Sequence, residues 1–215
     1  MNNFEFYNPV KVIFGAGEVN RIGEAAAPWG KKALIVSYDK VDFYGDLFQR
    51  IHASLKEHGV DSVDHFAATA NPLISQAVSG VALGKKEGVD MVIGVGGGSA
   101  MDLAKVIAAG ILYPYEDICR MIKFSHSTDE QVPPKEALPL IMVPTLPATA
   151  SEMNPHRRHH RRRDPAQELC VGAGLPVPQG LHPGPHPHPD PAGLPDRLRR
   201  HRFHQPCGGA LLLQQ

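Results

Sequence analysis

Cysteine is scarce. Cys119, Cys170 and Cys207 are an odd number in 215 residues and show no CxxC spacing, which argues against both a disulfide framework and a zinc ribbon. Net charge is lacking as well. The chain has 22 Lys+Arg against 22 Asp+Glu, so nucleic acid is not the expected main partner. No apolar run is long enough to cross a bilayer, and the opening MNNFEFYNP has neither a basic n-region nor a long apolar core. These absences point to a soluble chain in a reducing, cytoplasmic setting, with no membrane partner.

The zero charge is an average over two unlike stretches. Residues 1–155 hold 13 Lys+Arg against 18 Asp+Glu, a net of −5. Residues 156–215 hold nine Arg and no Lys against four acids, a net of +5. The length fits one domain, or one domain and a fragment.

Within residues 1–155 the pattern alternates. Short apolar runs at 11–14, 33–37, 62–66, 91–95 and 138–143 predict strands. Between them, helices are expected over 18–27, through Leu47, Ile51 and Leu55 up to Gly59, and over 73–87 with Gly88 closing. Continuous apolar strands separated by helices predict an α/β fold, a Rossmann-like, doubly wound parallel sheet. Right-handed crossovers then place ligands at the carboxyl ends of the strands.

One stretch stands out, MVIGVGGGSAMDLAKVIAA at 91–109. A buried strand runs into Gly96, Gly97 and Gly98, then Ser99, then a helical pattern. Ser99 is read as the N-cap, with Asp102 reaching back as in a capping box. Glycines let a backbone approach a ligand closely, and the helix N-terminus favours an anion, most plausibly phosphate. Lys105 could add charge one turn on. The plainer alternative is a tight turn with a good cap and no ligand. Position favours the ligand, because Asp39, Asn71 and Thr145 also fall at strand ends. Asp39 can accept from ribose hydroxyls and would repel a 2′-phosphate; it can equally be a solvated turn residue. In PTLPATASE at 144–152, Thr145, Thr149 and Ser151 can bond ribose or phosphate, or simply belong to an exit loop.

Taken together, NNFxxYNPxKxIFGxG at 2–17, ANP at 70–72, GVGGGSAMDLAKVIAAG at 94–110 and PTLPATASEMNP at 144–155 resemble the iron-containing (group III) alcohol dehydrogenases, and within them the branch with NADH-dependent butanol dehydrogenases. The resemblance covers nearly all of 1–155. It implies an N-terminal α/β domain that binds NAD, with NADP as the alternative, followed by an all-helical domain that gives one Asp and three His to iron or zinc. The metal would polarise the oxygen of a small alcohol or aldehyde for hydride transfer. By that likeness the cofactor-binding set is Asp39, Asn71, Gly97, Gly98, Ser99, Asp102, Thr145, Thr149 and Ser151. Gly97, Gly98 and Ser99 would hold the pyrophosphate, and Asp39 and Asn71 the adenosine side. Two features depart from the pattern. Ala148 and Ala150 stand where the family often has Gly, and the SYDK stretch around Asp39 lacks the GGGS of NADP-using relatives, which favours NAD.

After Pro155 the resemblance stops. Residues 156–215 contain no Lys, Ile, Met, Asn, Ser, Thr, Tyr or Trp, yet hold 10 of the 20 prolines and 8 of the 12 histidines. So little apolar surface cannot offset ordering entropy, so this tail is expected to be disordered. A basic polyanion-binding arm and a loose His tract for metal are two readings of it. An out-of-frame translation is the third, and codon arithmetic supports it. Read one nucleotide later, HRRHHRRRDP permits TAVITDDAT, LCVGAG permits FVWAP, PQGLHPGPH permits PKVSILDP and RRHRFHQPC permits GATDFINH. All four fit the family's continuation in a single frame. No metal ligand or catalytic residue of the family then stands at its position, and the helical domain is expected to be absent, leaving an uncovered face prone to self-association. The rival functions are a zinc glycerol dehydrogenase or dehydroquinate synthase-like enzyme, and a non-catalytic nucleotide-binding remnant with a basic tail.

Overall fold

The computed structural model describes residues 10–121, 132–146 and 150–153, together with the backbone of 211–214. Among them, six strands make one sheet: β1 Lys11–Ile13, β2 Lys32–Tyr38, β3 Asp61–Ala68, β4 Met91–Gly96, β5 Leu140–Pro144 and β6 Leu211–Gln214. Their spatial order is β1-β6-β5-β4-β2-β3. The helices are α1 Ile22–Ala26, α2 Leu47–Glu57, α3 Ile74–Glu87 and α4 Gly98–Leu112, with single 3₁₀ turns over Glu18–Arg21, Asp42–Tyr44 and Ile118–Met121.

β2, β3, β4 and β5 pair in parallel, as continuous apolar strands between helices should. Successive side chains on a strand point to opposite faces, so each parallel strand feeds two cores. Leu34, Val36, Val92 and Met142 pack with α3 and α4. Ala33, Ile35, Ile93, Val95, Ile141 and Val143 pack with α1 and α2. The sheet is doubly wound, as the pattern predicts.

Two features differ from that expectation. The sheet is mixed, because β6 runs antiparallel to both β5 and β1. β1 therefore lies at an edge, separated from the parallel set. The reason is legible in KVI: two of its three residues are exposed, and a strand of a parallel interior must be apolar on both faces. Secondly, Leu211–Gln214 takes part in the sheet, although it belongs to the stretch expected to be disordered. Residues 154–210, which carry the rest of that expectation and of the out-of-frame reading, lie outside the described residues.

The chain visits β2, then β3 on one side, then crosses back to β4 and β5 on the other. The order thus reverses between β2 and β4, and in open α/β sheets the crevice outside such a reversal is where ligands sit. Everything that positions the candidate site follows from this switch point.

α4 is buried continuously over residues 100–110. It lies on the sheet and is covered by α3, by Tyr113 and by Ile118 and Met121 of the last 3₁₀ turn. Such a helix holds its N-terminus still. Among the described residues no helix is long and apolar enough to cross a membrane.

Candidate functional site

The β2–β4 ladder ends at the pair Val36 and Gly94, whereas β4 stays paired with β5 two residues farther, to Gly96 and Pro144. The sheet therefore opens between β2 and β4, at the switch point. Where the ladder stops, the Ser37 hydroxyl donates to the Val95 carbonyl at 2.8 Å, satisfying a buried acceptor that has lost its strand partner.

Beyond this opening the chain turns through Gly96 and Gly97 into α4. Gly96 has φ +143°, a region that essentially only glycine occupies. A Cβ there would also sit 2.9 Å from the Ala100 Cβ and 2.9 Å from the Tyr38 ring. At Gly97 a Cβ would stand 3.1 Å from the Tyr38 hydroxyl, with Leu146 4.0 Å away. A side chain at Gly97 would fill the space that these two residues frame.

Gly97, in extended conformation, is the N-cap of α4, so the cap position itself carries no side chain. This corrects the reading of Ser99 and Asp102 as cap and capping box. The extended Gly97 starts the helix before Ser99, so Ser99 is already helical and its hydroxyl is out of capping position. It donates instead to the Ala70 carbonyl at 2.6 Å, fastening the glycine turn to the loop after β3. Asp102 lies a turn inside, 6% exposed, and its carboxylate pairs with Lys105 at 3.4 Å. Lys105 is fully buried. The helix N-terminus, with a glycine at its cap, has backbone N–H groups and a positive dipole end suited to an anion.

Three loops converge on this turn. The first follows β3: Asn71 lies in it, its carbonyl accepting from the Thr69 hydroxyl at 2.9 Å, and Ser99 ties it to α4. The second follows β5: the Thr145 N–H donates to the Gly96 carbonyl at 3.0 Å. The third follows β2 and carries Asp39, whose N–H donates to the Ala68 carbonyl at 3.1 Å and whose side chain is exposed. Second and third are joined by a hydrogen bond of 3.2 Å between the Tyr44 and Thr145 hydroxyls. Tyr44 is half-buried, and burial raises its phenol above the ordinary range while the bond to Thr145 opposes that rise.

Of the residues expected from sequence, the structure thus brings Asp39, Asn71, Gly97, Gly98, Ser99 and Thr145 to the carboxyl end of the parallel strands. Asp102 stands behind them as a buried support. Ser151 is 3% exposed in the short described turn 150–153, and Thr149 lies outside the described residues. Ala150, where the resemblance has Gly, adopts φ +51°. That left-handed conformation costs an alanine about 1 kcal/mol, which is the reason a glycine suits the position.

Ser37, Tyr38 and Tyr44 were not legible as site residues. Ser37 and Tyr38 immediately precede Asp39, and strand-end position is the signal available for them. Nothing local marks Tyr44, because its partner is 101 residues away.

Among the described residues no group of three or more His, Cys, Asp or Glu is placed to hold a metal ion. The described residues therefore supply no ligand set for the iron or zinc that the resemblance implies.

Residues 9–157 match the family model described as iron-containing alcohol dehydrogenase. The probable NADH-dependent butanol dehydrogenase 1 of Bacillus subtilis is 38% identical over 154 residues, covering 72% of this chain and 38% of that protein. NADH-dependent butanol dehydrogenase A of Clostridium acetobutylicum is 34% identical over 154 residues, with the same shares. The crystal structure of NADH-dependent butanol dehydrogenase A from Thermotoga maritima superposes with a TM-score of 0.64 at 35% identity, over 73% of this chain and 38% of that one. The chain spans well under half the length of these relatives.

Proposed function

The chain belongs to the iron-containing alcohol dehydrogenase family, and from that premise we propose that residues 1–155 are the dinucleotide-binding part of an NAD-linked alcohol dehydrogenase. The observation that carries the reading is the glycine turn at the switch point. It joins a helix N-terminus with a glycine at its cap to a space that a Cβ at Gly97 would fill.

In this reading the pyrophosphate of NAD lies over Gly97, Gly98 and Ser99 against the backbone N–H groups of α4. Asp39 accepts from a ribose hydroxyl, and its charge disfavours the 2′-phosphate of NADP. Asn71 and Thr145 flank the turn from opposite loops, with Thr149 and Ser151 assigned by the family likeness to the same wall. Asp102 and Lys105 hold the first turns of α4 from within the core. When bound, NAD supplies the hydride acceptor for oxidation of a small primary alcohol to its aldehyde. The chain's described residues bind and orient; the metal ligands of the reaction are not among them.

Titration of NADH fluorescence tests the reading. The 215-residue chain is expected to bind NADH, and Gly97→Val to abolish binding while far-UV circular dichroism stays unchanged. Binding that survives Gly97→Val would remove the turn from the site. The same chain is expected not to oxidise butanol with added iron or zinc; turnover at the rate of a full-length relative assayed alongside would overturn the assignment of binding without catalysis.

A further inference from the structure

We infer that Tyr44 is a positioning residue for the adenosine half of the dinucleotide, acting through its hydrogen bond to Thr145. This rests on the dinucleotide reading above and adds a residue that neither the glycine turn nor the family motifs identify.

The two flanks of the glycine turn are fixed differently. On the β3 side the Ser99 hydroxyl grips a backbone carbonyl directly, at Ala70. On the β5 side the Thr145 backbone is held by Gly96, but that bond leaves the Thr145 side chain free to rotate. Its hydroxyl is given a direction by Tyr44 at 3.2 Å.

Tyr44 is well built for this. It lies in the 3₁₀ turn Asp42–Tyr44, five residues after Asp39. Its ring is 4.1 Å from that of Phe43 and meets Phe48 of α2 edge-on at 5.7 Å. Phe48 in turn packs on Phe66 of β3 at 4.7 Å. The hydroxyl therefore stands on a post of stacked rings rooted in the α2 core, and the stack holds without it. Tyr38 closes the same corner, with its ring against Gly96 and its hydroxyl beside Gly97.

Asp39 marks this side of the switch point as the ribose side of a doubly wound nucleotide site. Tyr44 shares the loop after β2 with Asp39 and bonds Thr145, so in this reading their wall serves the adenosine end. In this reading the nicotinamide half lies off this wall.

Tyr44→Phe deletes one hydroxyl and keeps the ring stack. We expect the dissociation constants of NADH, ADP-ribose and AMP to rise together, by roughly 3- to 10-fold, as for a neutral hydrogen bond. Nicotinamide mononucleotide, measured by competition, should bind unchanged, and the thermal midpoint should stay at the wild-type value. Thr145→Val should weaken the same three ligands, and the double variant should be no weaker than Thr145→Val alone. Unchanged AMP binding in Tyr44→Phe, equal losses for AMP and nicotinamide mononucleotide, or additive losses in the double variant would each overturn the inference while leaving the dinucleotide reading intact. Wild-type chain that binds none of these ligands would overturn both.

Discussion

The two faces of the sheet solve the same packing problem in different ways. On the α1–α2 face the helices cross backbone to backbone. A Cβ on Gly23 would lie 2.0 Å from the Ser54 carbonyl oxygen, and the crossing is closed by polar contacts. The Gly23 N–H donates to the Ser54 hydroxyl at 3.0 Å, and that hydroxyl donates to the Asn20 carbonyl at 2.6 Å. On the α3–α4 face glycines also mark the crossing, but side-chain ends meet them. Gly80 faces the tip of Ile107 and Gly84 the tip of Ile111. This face also buries charge, in Asp102 and Lys105. The face that carries the site helix is thus tolerant in its apolar contacts and intolerant in its ionic one. The opposite face depends on a single close approach.

Strand β3 shows the contrast within eight residues. Ser62 and Asp64 point to α2, where His52 lies 2.9 Å from the Ser62 hydroxyl and 3.3 Å from the Asp64 carboxylate. His65, between neighbours of opposite orientation, points to α3 and bonds the Gln76 carbonyl at 3.0 Å through Nε2. The first cluster is more than a third exposed, where an ion pair contributes little. The second is buried.

The comparison is broken most severely at the buried ion. Lys105→Ala leaves the Asp102 carboxylate in the core without its ammonium, and unfolding free energy should fall by about 3–5 kcal/mol, read from urea denaturation. A loss below 1 kcal/mol would mean that the pair is not a structural unit of α4.

Next is Gly23→Ala. The methyl group meets a carbonyl that cannot swing away, so α1 and α2 must separate, at a cost of about 2–3 kcal/mol. Gly84→Ala on the other face is the control. There the obstacle is the terminal methyl of Ile111 at 2.5 Å, a flexible side-chain end, and the helix propensity gained by alanine offsets the crowding. Its stability should lie within about 0.5 kcal/mol of wild type. Equal losses at Gly23 and Gly84 would erase the distinction between the faces.

The smallest effect is expected from pH. Burial lowers the His65 pKa below its ordinary value, against the opposing bond to Gln76. The folded state therefore prefers neutral imidazole. Below the unfolded-state value near 6.5 the unfolded chain takes up the proton first. The contribution of His65 is fully present above that pH and is lost as pH falls toward the lowered folded value. Urea midpoints should decline on acidification from pH 7 to 5, with a shallower slope in His65→Gln. Identical slopes would remove His65 as the cause.

Much of this architecture was legible because it rests on short-range regularities. Continuous apolar runs predicted β2, β4 and β5 to within two residues at either end, and Gly59 and Gly88, at φ +70° and +62°, end their helices where the pattern puts them. The glycine turn and its order relative to PTLPATASE marked the family. The errors have one physical origin. Ser99 reads as a cap when only its local sequence is weighed, but Gly97 takes that place and a carbonyl 29 residues away claims the hydroxyl. Asp102 reads as a capping acid until its burial beside Lys105 is known.

The sequence by itself determined the layer order of helices and strands, the glycine backbone of the turn and the membership of the family, because each depends on periodicity and residue type within a few turns of chain. The tertiary structure decided where the sheet opens, which hydroxyls face the crevice and which charge is buried. Those depend on contacts such as Tyr44 with Thr145, whose partners are distant in sequence and meet only when the reversal between β2 and β4 brings their loops together. Side-chain hydrogen bonds of that kind have no period to betray them.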